Sequence, residues 1–314
     1  MTNSLDALLR VLSASSSSSA SAPAGLGNAL FVGSGDSLSA CLLAEGAGHR
    51  VASAGDVAWT GSLPPRIDAL VGVSQSGRTA ATVAAVRVAA EHGVRTIAIT
   101  TDPRSPITAA AGEVRIAPPA AVTETIPVAG FLSLAVTVLS VLDIDLAGGL
   151  REVGTRMSAM IPEMTELAAR LPPAMPAAIS ILTLPDMRAA GDFWSLKLIE
   201  ATGLAVRSVP LEESGHVDYF IGPQPHLAIS LIGAFGRARH ERLSVALAEN
   251  GHATLGLRAT AAPDGNGRAA ELAVAALGAQ LAEKAAATWG RPPFRNHEVP
   301  MDARHIQIGY GSEG

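Results

Sequence analysis

The sequence predicts an α/β protein built from two similar units in tandem, each a mainly parallel sheet flanked by helices. Two observations lead to this fold class. Short apolar runs alternate with longer helical stretches along most of the 314 residues, as in parallel sheets that are covered by helices on both faces. After a proline-rich break at 171–176, LPPAMP, the same alternation occurs a second time.

The composition is that of a globular protein and narrows the choice of partners. Apolar residues make up 48% of the chain and charged residues 16%, which is enough for a large core. The net charge of −5, with no stretch rich in Lys and Arg, predicts no nucleic-acid partner. No apolar run is long enough to predict a membrane span. The single cysteine, Cys41, reads as a core residue, and with no signal-peptide pattern it predicts a cytoplasmic protein.

The first half contains the elements of one sheet. Ahead of it, Leu5, Leu8, Leu9 and Leu12 predict a short helix, and the Ser/Ala run at 13–24 predicts a flexible linker. In chain order we then expect strands at 29–33, 67–74, 94–100 and 114–117, and helices at 36–47, 78–92 and 126–142.

The second half repeats this pattern after a linker helix. We expect strands at 177–184, 206–210, 227–233 and 252–257, and helices at 192–202 and 237–250. The predicted organisation is an N-terminal segment (1–27), a first domain (28–147), a linker helix (148–172), a second domain (173–290) and a tail (291–314).

The two halves also resemble each other in sequence. VAAEHGVRTIAIT in the first half corresponds to ALAENGHATLGLR in the second. In each, a helix ends at a glycine, Gly93 or Gly251, and a strand follows; glycine tolerates the positive φ that such a helix end needs. Counting back from these glycines aligns VGVSQSG with ISLIGAF. The second copy therefore keeps the strand and loses the polar cluster after it.

That polar cluster predicts an anion site. Ser74, Gln75, Ser76, Gly77 and Thr79 follow directly on a buried strand and precede a helix. One of these hydroxyls could simply cap the helix, but a cap needs only one side-chain oxygen. Three hydroxyls, an amide and a glycine at a helix start favour a phosphate instead. The carboxyl end of a parallel strand is also where ligands bind in such sheets.

A second loop, GSGDS, follows the first strand and supports this interpretation. It places Ser34, Gly35 and Ser37 at a turn. A G-x-G after a strand can also belong to a dinucleotide loop, but the third glycine of that pattern is replaced by Leu38. We therefore expect no nicotinamide cofactor, and no other cofactor is indicated.

SQSGRTAAT after a strand, with GSGDS upstream, resembles the sugar isomerase (SIS) family of phosphosugar-binding domains. TETIPVAGFLSLAVTVL at 123–139 resembles the family's Glu-headed helix, here Glu124. The resemblance spans about 28–290 as a double-SIS arrangement, and implies a flavodoxin-like three-layer sandwich. It also implies that the 74–79 cluster holds phosphate and that Ser34 lines a sugar pocket. Arg78 stands where the family's synthases carry Glu; it either adds charge to the site or points to solvent.

The same resemblance implies catalytic residues in the second half. WSLKLIEATG resembles a family helix whose last Glu is the isomerising base, here Glu200, with Lys197 beside it. LEESGHVDY resembles a segment whose His opens the sugar ring, here His216. Alternatively, Glu200 is a solvated helix residue and His216 an ordinary loop histidine. Departures from the family pattern, including Val217 and Asp218 in place of Gly-Pro, indicate a different or modified sugar.

The sequence thus predicts an enzyme of aldose–ketose isomerase type, acting on a sugar phosphate or amino-sugar phosphate through an enediol(amine) intermediate. A deaminase or deglycase that cleaves a C–N bond is the alternative enzyme, and a non-catalytic phosphosugar sensor is the alternative of another class. We expect no metal, since no set of residues has ligand spacing. The family resemblance implies a homodimer in which His216 enters the partner's site. Arg295 and Asn296 in the tail resemble the tail of the synthases.

Overall fold

A computed structural model describes residues 25–119, 124–144, 149–221, 224–259 and 267–291. The expected N-terminal helix, the linker at 13–24 and the tail with Arg295 and Asn296 lie outside these ranges. The described chain divides into two compact units. The first holds the residues up to 119 and those at 129–144, and the second holds 124–128 and everything from 149 onward.

The first unit follows the predicted alternation of strands and helices. Its strands are β1 (Ala29–Gly33), β2 (Arg50–Ser53), β3 (Ala69–Val73), β4 (Arg95–Thr100) and β5 (Glu113–Ile116). Its helices are α1 (Asp36–Cys41), α2 (Ala54–Thr60), α3 (Ala80–Glu91), α4 (Pro106–Ala110) and α5 (Ala129–Val141). A 3-10 turn over Leu42–Ala47 continues α1.

The strands of the first unit form one parallel sheet in the order β2-β1-β3-β4-β5. β1 and β3 are fully buried and pair in register, with Phe31 opposite Val71. From β1 the chain moves outward to β2, and from β3 it moves the other way to β4 and β5. The order therefore reverses between β1 and β3, and a crevice at such a reversal is where open α/β sheets bind ligands.

The second unit repeats this arrangement. Its strands are β6 (Ala178–Thr183), β7 (Ala205–Pro210), β8 (His226–Ile232) and β9 (Ala253–Arg258). Its helices are α6 (Gly149–Ala169), α7 (Arg188–Thr202), α8 (Ser214–Val217), α9 (Arg237–Glu249) and α10 (Gly267–Thr288). The sheet is parallel with the order β7-β6-β8-β9, so the reversal falls between β6 and β8.

Two long helices complete the core of the second unit. α10 is alanine-rich and packs against both α6 and α7. Its Gly278 leaves room for the ring of the fully buried Trp194 on α7, whose Nε1 donates to the carbonyl of Val274 at 2.8 Å. These contacts fix α7, the helix that carries Lys197 and Glu200.

The structure confirms the predicted fold of two α/β units. Gly93 and Gly251 both have the positive φ expected at the equivalent helix ends, +70° and +87°. The elements without a counterpart in the sequence analysis are β2, α2, α4, α8 and α10. β2 is four residues long and lies at the sheet edge, while α10 is buried on nearly every side and so lacks an apolar stripe. Among the described residues, no helix combines the length and the hydropathy needed to cross a bilayer.

Candidate functional site

The first unit brings the two predicted binding loops to neighbouring strands. The loop after β1 contains Ser34 and Gly35, and the loop after β3 contains residues 74–79. Because β1 and β3 are adjacent and parallel, both loops leave the same edge of the sheet at its order reversal. This is the position at which the sequence predicted an anion site.

The loop after β3 is a tight turn stabilised by its own polar groups. The amide of Gly77 donates to the carbonyl of Ser74 at 3.1 Å. The hydroxyls of Ser74 and Thr79 lie 3.2 Å apart, and Ser74 is buried. The hydroxyl of Ser76 accepts from the amide of Arg78 at 3.3 Å, and the side chains of Gln75 and Ser76 are exposed.

Thr79 occupies the N-cap position of α3 without capping it. Its backbone is extended (φ −61°, ψ 112°), but no side-chain hydrogen bond to the first turn of the helix is formed. The first turn of α3 also contains no acidic residue. The helix-cap alternative therefore fails for Thr79. The amides of the first turn, together with the positive end of the helix dipole, are suited to an anionic ligand.

The end of β4 and the loop after it hold this turn in place through hydrogen bonds. The carbonyl of Gln75 accepts from the amide of Thr101 at 3.0 Å and from the hydroxyls of Thr100 and Thr101 at 3.0 and 2.8 Å. Gly77 has φ +63°, and a Cβ there would overlap the hydroxyl of Ser105. A glycine is thus required at 77 for both its backbone angle and its close approach to the neighbouring loop.

The loop after β1 leads into α1 by an equally close approach. A Cβ on Gly33 would lie 2.8 Å from the carbonyl carbon of Ser37, so the strand and the helix join without space for a side chain. Gly35 is the N-cap of α1 with φ 56°, and no side chain caps this helix either. Ser34 is exposed and Ser37 is buried. Ser34 and Gly35 are thus the residues of this loop that are open to a ligand.

The structure shows the partners of Arg78 and Glu124. Arg78 is exposed and pairs with Asp102 through Nη2 and Oδ2 at 3.0 Å. The amide of Arg104 and then the Arg78 guanidinium lower the pKa of Asp102. Glu124 precedes α5, and its Oε2 accepts from the amide of Val128 at 3.0 Å.

Two of the three predicted catalytic residues lie together in the second unit. Nζ of Lys197 is 2.8 Å from Oε2 of Glu200, one helical turn further along α7. The side chain of Lys197 is 1% exposed, and that of Glu200 is 33% exposed. Nζ also lies 5.0 Å from the centre of the Phe193 ring. A buried ammonium group therefore lies next to a partly accessible carboxylate. This arrangement suits Glu200 as a base, with Lys197 close to the negative charge that develops during proton removal.

His216 lies on the single turn α8, which follows β7. Its side chain is exposed, whereas Ser214 and Asp218 on either side are fully buried. Within the described ranges, no hydrogen bond or ion pair joins His216 to Lys197 or Glu200. A cavity of about 200 Å³ adjoins this turn, and it is lined by Leu211, Glu212, Gly215, Arg239, Arg242 and Leu243.

In the second unit, a carboxylate on the loop after β6 contacts the loop after β8, the counterpart of the first unit's hydroxyl cluster. Asp186 follows β6, and its Oδ2 accepts from the amide of Ala234 at 2.7 Å. Ala234 follows β8 and aligns with Ser76 of the first unit. A Cβ on Gly233 would overlap the Asp186 carboxylate, so the two loops are in close contact across the reversal of strand order. An acidic side chain of the chain itself thus binds the loop that corresponds to residues 74–79.

The sequence analysis assigned no role to Asp186, to Asp218 or to the buried Glu271 on α10. Oε1 of Glu271 accepts from the amide of Ala189 at 2.9 Å, and Oε2 pairs with Arg268 at 2.7 Å. Burial raises the pKa of Glu271 from its ordinary 4.5 to about 7, although Arg268 acts in the opposite direction. No local sequence signal distinguished these three acids from surface residues. In the described part of the chain, no group of three or more His, Cys, Asp or Glu residues could hold a metal.

Comparisons with known proteins agree with this geometry. The SIS domain family model matches residues 49–144, which include the β3–α3 loop. This match confirms the resemblance of the first unit to that family. No curated protein matches the sequence significantly.

Solved structures share the fold over nearly the whole chain. A glucosamine-6-phosphate deaminase from Thermotoga maritima is 16% identical, with a TM-score of 0.71 over 87% of this chain and 89% of its own. The C-terminal domain of glucosamine-fructose-6-phosphate aminotransferase from Francisella tularensis is 15% identical, with a TM-score of 0.71 over 93% and 95%. Tagatose-6-phosphate ketose/aldose isomerase from Escherichia coli is 14% identical, with a TM-score of 0.68 over 96% and 90%. Identities this low show a common fold alone.

Proposed function

We propose that this protein is an enzyme that binds a sugar phosphate or amino-sugar phosphate and isomerises it between aldose and ketose. The observation that carries this proposal is the arrangement of Ser74 and Thr79 at the start of α3. Their hydroxyls contact each other, and Thr79 does not cap the helix. The phosphate would accept hydrogen bonds from these hydroxyls, from Ser76 and from the first amides of α3.

The proposed chemistry uses the residues of the second unit. Glu200 removes the proton from C2 of the open-chain aldose, which leaves a cis-enediolate with its charge on O1. A proton then passes from O2 to O1, and Glu200 returns the C2 proton to C1, which gives the ketose. Lys197 stabilises the negative charge that develops on the adjacent oxygen. His216 donates and accepts the proton that is moved when the sugar ring opens. The partial exposure of Glu200 suits this role, because the base must reach the substrate.

Calorimetry followed by NMR tests the proposal. We expect glucose 6-phosphate, fructose 6-phosphate or glucosamine 6-phosphate to bind, and the NMR spectra of the same mixtures in D₂O to show exchange at C2 together with isomerised product. Release of ammonia would indicate the deaminase alternative instead. Binding without any chemical change would indicate a sensor.

Glu200→Gln isolates the catalytic step. The amide keeps the shape of the side chain and removes the base, so exchange at C2 should fall by about 10²–10⁴-fold. Binding of the sugar phosphate should remain, because the residues proposed to hold the phosphate, 74–79, are in the first unit. Glu249→Gln, at an exposed position on α9 of the same unit, is the matched control. Exchange at the wild-type rate in Glu200→Gln would mean that another group is the base.

We further propose that the active protein is a homodimer in which His216 serves the partner's substrate. The exposure of His216 on α8 supports this proposal. Mixing an inactive Ser76→Ala/Thr79→Ala variant with an inactive His216→Ala variant should restore activity. The recovery would reach up to about one quarter of wild type for random pairing. No recovery, with subunit exchange verified, would place His216 in the site of its own chain.

We also propose that the protein works in the reducing environment of the cytoplasm. Cys41 is the only cysteine and is fully buried, and burial raises the pKa of its thiol far above the usual range. It is therefore an unreactive core residue, and no other cysteine is present to pair with it.

A further inference from the structure

The turn that carries His216 is tied to the sheet of the second unit by a buried carboxylate. α8 is only one turn long, and a 3-10 turn over Asp218–Phe220 continues it directly. A turn this short has little stability of its own. Its position must therefore come from contacts with the rest of the unit.

Asp218 makes most of these contacts. Its Oδ1 accepts from the hydroxyl of Ser180 at 2.5 Å and from Nη2 of Arg207 at 3.0 Å, and lies 3.3 Å from Nε2 of His226. Its Oδ2 accepts from the hydroxyl of Ser214 at 2.7 Å. The side chain of Asp218 is 0% exposed. Three of these partners lie on the adjacent strands β7, β6 and β8, so one carboxylate joins the turn to three strands.

The fourth strand is joined to the same segment by a second route. Nδ2 of Asn250 donates to the carbonyl of Tyr219 at 3.2 Å and lies 3.1 Å from Nε2 of His252, just before β9. The ring of His252 packs edge-on against that of His226, with centroids 5.2 Å apart. Residues at all four strands of this sheet thus contribute to holding residues 214–219.

This anchoring decides which way His216 points. Positions 214 and 218 are four residues apart in continuous helical backbone and so share a face, whereas position 216 falls on the opposite face. Ser214 and Asp218 are buried against the sheet, and His216 is therefore turned outward, as its exposure shows.

The anchor is a charged one. Burial alone would favour the neutral acid, but hydrogen bonds from His226, Ser180, Ser214 and Arg207 hold the pKa of Asp218 well below its usual range. If the carboxylate is lost, the buried hydroxyls of Ser180 and Ser214 lose their acceptor, and Arg207 loses its counter-charge. The contacts that fix the turn would then fail together.

We infer that Asp218 is the positioning residue for His216: its carboxylate fixes the turn that holds the imidazole where it can act on the sugar ring. This inference rests on the proposed function. Asp218 itself touches neither substrate nor reacting atoms in this scheme.

Hydrogen exchange tests the structural half of the inference. Asp218→Asn keeps the shape and removes the charge. Ser214→Ala removes a single bond and is the milder variant if Asp218→Asn does not fold. In both we expect amide exchange across 211–221 to be about tenfold faster or more, with the other elements of the unit unchanged. Thr96→Val, which removes a buried hydroxyl from the first unit, is the control and should leave 211–221 as in wild type. Unchanged exchange in both test variants would overturn the inference.

Kinetics tests the functional half. We expect Asp218→Asn to lower kcat about tenfold or more on a ring-forming hexose 6-phosphate while leaving KM unchanged. Its rate on a four-carbon aldose 4-phosphate should stay close to wild type, because that sugar cannot close a ring through its phosphorylated oxygen. Equal loss on both substrates would mean general damage and would overturn the positioning role.

His216→Ala separates failure of this inference from failure of the proposed function. If it loses activity and Asp218→Asn does not, the positioning role is wrong. If His216→Ala keeps wild-type kcat, the ring-opening role proposed for His216 is wrong. The exchange measurement then decides alone whether Asp218 holds the turn.

Discussion

The hydroxyls of Ser74 and Thr79 lie 3.2 Å apart, joining the end of β3 to the start of α3. Each hydroxyl has one proton, and their mutual bond uses only one of the two. The other hydroxyl proton and the uncapped N–H groups of α3 can form hydrogen bonds to a ligand that has several acceptor atoms. A phosphate dianion has the charge and the number of acceptor oxygens for this arrangement.

Removal of the hydroxyls should therefore weaken phosphate binding. Ser76→Ala with Thr79→Ala should lower the affinity for a sugar phosphate by about tenfold to a hundredfold per donor, since a hydrogen bond to a charged group contributes about 1.5–3 kcal/mol. Calorimetry provides the measurement. Thr82→Val is the matched control, because Thr82 is buried in α3 and its hydroxyl has no partner in the described residues. If the double variant bound every phosphorylated ligand with unaltered affinity, residues 74–79 would not be the phosphate site.

Gly77 and Gly93 provide a comparison of two glycines with similar backbone angles. Gly93→Ala should lower the free energy of unfolding by about 1–2 kcal/mol, because φ is +70° and there is open space around the added methyl group. Gly77→Ala should cost a further 1–3 kcal/mol or so, since its methyl group would overlap Ser105. Urea denaturation of both variants measures the difference. Equal losses would mean that the contact between the loops is not tight in solution.

Lys197 should contribute to turnover more than to stability. Lys197→Met keeps the volume of the side chain but removes one partner of an ion pair. The free energy of unfolding should fall by less than the roughly 3–5 kcal/mol that breaking a fully buried pair costs, because Glu200 is partly exposed. Turnover should fall, because Glu200 loses the ammonium group beside it. Lys197→Ala, which leaves a cavity, should lose both turnover and about 2–5 kcal/mol of stability. Full activity in the folded Met variant would exclude a catalytic role for the lysine.

Glu271 should make stability depend on pH near neutrality. The unfolded carboxyl ionises near 4.5 and the folded one at about 7, so between these values the folded state keeps a proton that the unfolded state has released. The free energy of unfolding should therefore fall by about 3 kcal/mol as the pH rises from 4.5 to 7. Glu271→Gln should remove this contribution, and Glu283→Gln, exposed on the same helix, should not. Denaturation at several pH values measures this. If the free energy of unfolding changes with pH in the same way for wild type and Glu271→Gln, the prediction is wrong.

Local patterns predicted most of the strands and helices, since each depended on residues close together in sequence. The β1 bounds were predicted to the residue by the apolar run ALFVG before a glycine-rich turn. The polar cluster at 74–79 was equally local, because its residues are consecutive in the sequence.

Contacts between distant residues could not be predicted in this way. Glu271 bonds to the amide of Ala189, 82 positions away, and Asp218 reaches Ser180 across 38 positions. Nothing near either acid in the sequence distinguishes it from a surface residue. Its environment is created only when the sheet and α10 assemble.

Asp186 has a consequence for stoichiometry. The two units have equivalent loops, but in the second unit the amide of Ala234 is already bonded to the Asp186 carboxylate, and the proposed phosphate site lies in the first unit. Titration with a sugar phosphate should therefore saturate at one molecule per chain rather than two.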